Sequence, residues 1–181
     1  MLNAYFPERP FVEAAEEFCS LIEEFESHHR SEWLGQIGNS LLRLESAVAE
    51  LEMPSAPSTH AGLSDLDKRF ELYTRLKHFL REQDDYWSEA DLLAADGYMT
   101  GSLSDDFTDI YFELKRGLSL HGQNAESAND AIKSWTQGYR DHWRQHLIDA
   151  RKQLFDLRDR SESSSSPAFV ISRSIRPPKT S

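Results

Sequence analysis

Apolar residues recur along most of this chain at intervals of three and four, the spacing that gathers side chains on one face of an α-helix. Phe11, Ala14, Ala15, Phe18, Ile22 and Phe25 form the first such stripe, behind Pro7 and Pro10, and predict a helix from about residue 10 to about 28. Leu34, Ile37, Leu41, Leu44, Val48 and Leu51 follow Trp33 in an a/d pattern, the strongest periodicity in the chain. Gly35 and Gly38 each cost a helix interior about 1 kcal/mol relative to alanine, so an irregular or closely packed start is expected there. Residues 53–64 carry Pro54 and Pro57 among small polar residues and read as a loop. Ser64 or Asp65 can cap a third helix through Leu66, Phe70, Tyr73, Leu76 and Leu80, ending near Gln83. Residues 84–100 read as a partly helical excursion. Ser102 or Ser104 opens a fourth helix, with Leu103, Phe107, Ile110, Tyr111, Leu114 and Leu118 facing inward to about Leu120. A fifth, long helix is expected from about Glu126 to Arg158, through Ile132, Trp135, Tyr139, Trp143, Leu147, Ala150, Leu154 and Leu157, with Gly138 its weak point. No stretch alternates as a strand would, except Ala168 to Ile171. The fold class is therefore all-α, a mostly antiparallel bundle of five main helices over residues 1–160.

Composition adds a tail and a charge. From Ser161 the chain has four consecutive serines and three prolines, which predicts a disordered segment over 161–181. The whole chain of 181 residues carries −11. That segment has three basic residues and one acidic one, so −13 falls on the body. A duplex nucleic-acid binder needs a basic face, so nucleic acid is not an expected partner. No apolar run approaches the roughly 20 residues that span a bilayer, and the N-terminal segment lacks the pattern of a signal peptide. The lone Cys19, expected to be buried, leaves no internal disulfide, which fits a reducing cytoplasm.

Three groups of residues can carry chemistry. His142 and His146 lie four apart and so on one helical face, where two imidazoles can share a metal, although the glutamate of the His-Glu-x-x-His pattern is missing. Asp105, Asp106, Asp109 and Glu113 lie along the fourth helix, with Asp84, Asp85 and Glu89 as further carboxylates in reach of its start. Pairs four apart, Asp105/Asp109 and Asp109/Glu113, suit a divalent cation, while Asp105 and Asp106 also suit the positive end of the helix dipole without any ligand. Tyr86, Trp87, Tyr111, Trp135, Tyr139 and Trp143 can line a pocket or simply fill the core. Dinucleotide, P-loop and hydrolase-elbow motifs are absent, as are the paired Glu-x-x-His of di-iron bundles, so no cofactor is expected.

The order of motifs is itself informative. Asp85-Tyr86-Trp87, then Gly101 to Asp106 with Asp109-Ile110-Tyr111 and Leu114 to Leu118, then Ala131-Ile132 and Trp135, then His142-Trp143-x-x-His146 with Asp149-Ala150, resembles an uncharacterised bacterial all-helical family catalogued as a domain of unknown function. The resemblance spans roughly residues 10–157 and implies a helical bundle of the bacterial cytosol, with no activity attached. Its matching positions add Lys115 to the candidates. The site expected for a ligand or partner is thus Tyr86, Trp87, Asp105, Asp106, Asp109, Tyr111, Lys115, Trp135, His142 and His146, with Asp105, Asp109, His142 and His146 the candidate metal ligands. With no catalytic motif in sight, the favoured expectation is a non-enzymatic protein-interaction or regulatory module, monomeric or homodimeric. The alternative is a metal-dependent hydrolase using the Asp/His cluster.

Overall fold

The computed structural model describes residues 8–51, 66–86 and 101–165, so Trp87, most of the 84–100 excursion, the 53–64 loop and the proposed strand at Ala168 to Ile171 lie outside the described residues. Helix α1, Arg9–Glu23, buries the expected stripe of Phe11, Ala14, Ala15, Phe18, Cys19 and Ile22. It stops short of residue 28 because a 3₁₀ turn at Phe25–Ser27 swings Phe25 into the core, where its ring meets Phe79 and Trp33 at 5.1 and 6.2 Å. Helix α2, Arg30–Glu50, returns along α1 and is tied to it by Trp33, whose indole N–H donates to the Leu21 carbonyl at 2.8 Å. The helix is regular through both glycines. A Cβ at Gly35 would meet nothing within 4 Å and one at Gly38 only Leu154 at 3.7 Å, so the expected close packing is absent. They border a cleft between α2 and the last helix.

Helix α3, Leu66–Leu80, runs into a 3₁₀ turn at Arg81–Gln83. The chain then forms an element the periodicity did not foresee, an antiparallel pair of strands β1, Asp85–Tyr86, and β2, Gly101–Ser102. Two residues are too few to display a period, and Gly101 is required for a different reason. The Tyr86 ring lies so close that a Cβ at Gly101 would come within 2.2 Å of it. The pair delivers the chain to helix α4, Leu103–His121, with Ser102 as the N-cap, its hydroxyl accepting the Asp105 N–H at 3.2 Å. Asp84, with no exposed surface, adds a second cap by accepting the Ser104 N–H at 2.7 Å and its hydroxyl at 2.9 Å.

Helix α4 is the centre of the bundle, packed against α1, α3 and the last arm of the chain. That arm is one long run in three pieces: α5, Ala125–Gly138, a π-helical turn at Tyr139–Trp143, and α6, Arg144–Ser165, which passes the boundary expected at residue 160. Trp135 presses on Gly117 of α4, where a Cβ would lie 2.0 Å from its indole nitrogen. Counting the arm once, the fold is the five-helix all-α bundle that the sequence predicts. Among the described residues no helix is long and apolar enough to cross a membrane.

Candidate metal centre

Asp106, Asp109 and Glu113 fall three and four apart on α4 and therefore share one face, which is turned toward the π turn and the start of α6. His142 stands within that turn and His146 in the first turn of α6. The ring Nδ1 of His146 lies 2.8 Å from Asp106 Oδ1, and its Nε2 lies 3.2 Å from Asp109 Oδ2. His142 repeats the arrangement more loosely, with Nδ1 3.8 Å from Glu113 Oε1 and Nε2 3.6 Å from the same Asp109 Oδ2. A carboxylate only accepts hydrogen bonds, so Asp106 assigns the Nδ1 proton of His146 and leaves Nε2 to coordinate a metal in the neutral ring. His146 is thus backed by Asp106 on Nδ1, His142 has Glu113 only at the longer 3.8 Å, and both turn Nε2 toward the central carboxylate of Asp109.

Two of the three donor spacings match a metal's requirement. Ligands about 2.1 Å from a tetrahedral ion lie roughly 3.4 Å from one another, and the two Asp109 to histidine distances are 3.2 and 3.6 Å. One donor atom from each of Asp109, His142 and His146 lies within 4.8 Å of the other two. A carboxylate that holds the far nitrogen of a ligating histidine is the usual outer support of such a centre, and Asp106 stands there for His146. Behind Asp106, the Tyr86 hydroxyl donates to Oδ2 at 2.5 Å. Arg69 of α3 forms an ion pair with Asp109 through Oδ1. Glu113 accepts from Arg116 at 2.5 Å.

The electrostatics separate the two imidazoles. Burial opposes charging His146, but its hydrogen bond to Asp106 and the nearby charges of Asp106, Asp105 and Asp149 outweigh that and raise its pKa. His142 goes the other way, since burial and the neighbouring His146 hold it below the ordinary histidine range. Burial also pushes the Asp106 carboxyl and the Tyr86 hydroxyl up, at Asp106 against the pull of its His146 and Tyr86 donors. The same contacts favour the charged form of His146, and a bound cation would take the place of its proton on Nε2.

The structure gathers five of the expected site residues, Tyr86, Asp106, Asp109, His142 and His146, and disperses Asp105, Tyr111, Lys115 and Trp135, while Trp87 lies outside the described residues. Asp105, a candidate ligand from its spacing to Asp109, sits exposed in the first turn of α4, its backbone N–H donating to the Ser102 hydroxyl, and is not part of the donor set. Tyr111 and Lys115 both turn to Glu23 of α1, at 2.8 and 2.5 Å, and tie two helices together. Trp135 is core, its ring tilted by 60° against Phe11 at 4.9 Å, with its indole N–H donating to the Leu114 carbonyl at 3.2 Å. Arg69 is the residue that sequence reasoning missed, an arginine in a polar stretch of another helix with no local signal. Glu113 was visible as a carboxylate, but its partner was not.

Fold and site together define an all-helical bundle with a two-histidine, one-carboxylate cluster between its central helix and its last arm. The family model described as a domain of unknown function, DUF5063, matches residues 8–159, which include every residue of that cluster, and the chain belongs to this family. The crystal structure of a structural-genomics target protein from Bacteroides fragilis is similar, with 25% sequence identity and a TM-score of 0.66 over 81% of this chain and 89% of that one. No curated protein matches the chain.

Proposed function

We propose that the protein is a metal-dependent hydrolase whose divalent ion is held by Asp109 Oδ2 and the Nε2 atoms of His142 and His146. The observation that carries this reading is the convergence of one donor atom from each of Asp109, His142 and His146, with His146 hydrogen-bonded on its other nitrogen by Asp106. It reverses the ranking expected from sequence, in which an interaction module came first. Structural zinc sites close with four protein ligands, whereas three ligands leave a position for water, whose pKa the ion lowers to about 7. The His142 side chain is 44% exposed, so that position is open to solvent on one side. Nitrogen and carboxylate donors suit zinc and its transition-metal neighbours better than magnesium or calcium.

The test is metal content followed by activity. Protein loaded with Zn²⁺, Mn²⁺ or Fe²⁺ and dialysed is expected to retain one ion per chain, to melt higher, and to cleave an ester or phosphoester substrate in a panel. A His142→Ala/His146→Ala variant that folds is expected to lose all three. Wild-type protein that keeps no ion and shows no stabilisation overturns the reading. A second reading rests on a separate place. Leu42 and Phe155, 48% and 70% exposed, flank a cleft of about 470 Å³ between α2 and α6, which supports contact with a protein partner or a second copy. A Leu42→Glu/Phe155→Glu variant distinguishes the second copy by sedimentation, with a shift from dimer to monomer expected.

A further inference from the structure

Arg69 crosses from α3 to one oxygen of Asp109 while the other oxygen faces the two histidines. Its side chain is only 15% exposed, and the guanidinium lies over the Phe112 ring at 5.2 Å, which fixes its plane. Burial lowers its pKa, yet a guanidinium titrates so far above neutrality that it stays charged. An ion on Oδ2 would thus place two cations on the two oxygens of one carboxylate. With ordinary bond lengths they would stand roughly 5–6 Å apart. Glu113 and Asp105 place further negative charge near Arg69 and offset part of the repulsion between the two cations. An anion with two oxygens can span the same gap and pair with both.

We infer that the site takes a substrate bearing an oxyanion group, phosphate or carboxylate, with one oxygen on the ion and another accepting from Arg69. The inference rests on the metal reading above. In it Arg69 is a specificity-determining residue that holds the anionic group beside the ion, and Phe112 holds Arg69. A guanidinium suits this role better than a lysine, because it can keep one nitrogen on Asp109 Oδ1 while another donates to the anion.

Isothermal titration of zinc-loaded protein with inorganic phosphate, and separately with acetate, tests it, with zinc per chain measured on each sample. Zinc-loaded wild type is expected to bind one of the two, and the tighter one names the group on the substrate. Metal-free protein is expected to bind neither, and Arg69→Gln is expected to weaken binding at least tenfold while retaining one zinc per chain. Should Arg69→Gln fail to fold or lose its zinc, Arg69→Lys decides, because it keeps a charge for Asp109 without the second nitrogen and is expected to weaken the anion alone. Wild-type anion affinity in a zinc-retaining Arg69 variant overturns the inference, as does zinc-loaded wild type that binds neither anion. Wild type that takes up no zinc instead overturns the metal reading and this one with it, so the two failures are told apart by the zinc measurement.

Discussion

Replacing Asp106 with asparagine keeps the shape of the side chain and removes its charge, and the two donors that meet this carboxylate set the cost. Asp106 accepts from the Tyr86 hydroxyl at 2.5 Å and from His146 at 2.8 Å, with only 4% of the residue exposed. Hydrogen bonds to a charged partner contribute about 1.5–3 kcal/mol and neutral ones about 0.5–1.5. Asparagine keeps one accepting oxygen and turns an NH2 toward the other donor, so one bond is reduced to a neutral one and the other is lost. The cost is about 3 kcal/mol in all, a Tm fall of about 6–12 °C for a chain of this size. The loss depends on pH in a definite direction. A histidine whose folded pKa is raised stabilises the fold fully below its ordinary value, about 6.5, and loses that contribution as pH rises through the raised value. The deficit of Asp106→Asn relative to wild type is thus expected to be greatest below about pH 6.5 and to shrink as the solution becomes more alkaline. Denaturant unfolding of both proteins in chelator, from pH 5.5 to 8.5, measures it, and the difference between them cancels the other histidines. A deficit that is constant across this range, or that grows with pH, refutes the paired-charge account of Asp106 and His146.

Three further outcomes are expected. Tyr86→Phe, which removes one donor from a buried carboxylate, should cost about 1–3 kcal/mol in denaturant unfolding and weaken zinc binding through its effect on His146, and unchanged values for both would remove Tyr86 from the site. Gly117→Ala would place a methyl group 2.0 Å from the Trp135 indole nitrogen, and overpacking of that kind costs about 1–3 kcal/mol. A variant as stable as wild type by thermal melting would show that α4 and α5 are not locked there. Cys19, 2% exposed and with its thiol pushed up by burial to about 12, should not react with a thiol reagent at pH 8 until the protein unfolds. Rapid labelling of native protein would contradict that placement.

The helices were legible because a buried stripe must repeat at three and four, and Phe11 to Ile22, Trp33 to Val48 and Leu103 to Leu114 all face the core as that spacing requires. Shorter features were not. Asp85 and Tyr86 carry no period, and the π turn at Tyr139–Trp143 keeps Trp135 and Trp143 buried, so nothing in the apolar pattern reports it. The histidine pair was visible from its spacing, and so was the pairing of Asp109 with Glu113, both of which face His142. The i to i+4 rule also selects Asp105 with Asp109, whereas the fold draws in Asp106 because Ser102 caps α4 and leaves Asp105 at the exposed first turn. Arg69 could not be found at all, since its meaning comes only from the packing of α3 on α4.

The π turn carries a consequence for how the cluster could be gained or lost. Such a turn holds one residue more than the α-helical path it replaces, and a residue added to a helix rotates everything beyond it by about 100°. His142 lies inside the turn and His146 beyond it, so the azimuth at which both meet α4 is set by that surplus residue. Deleting a single residue from Tyr139–Asp141 would let α5 and α6 fuse into one regular helix with its composition nearly intact. That helix would carry Leu147 and Ala150, now fully buried, away from the core and turn His146 from Asp106. The angular phase of the last arm is therefore a single-residue variable, and the core and the cluster depend on the same setting of it.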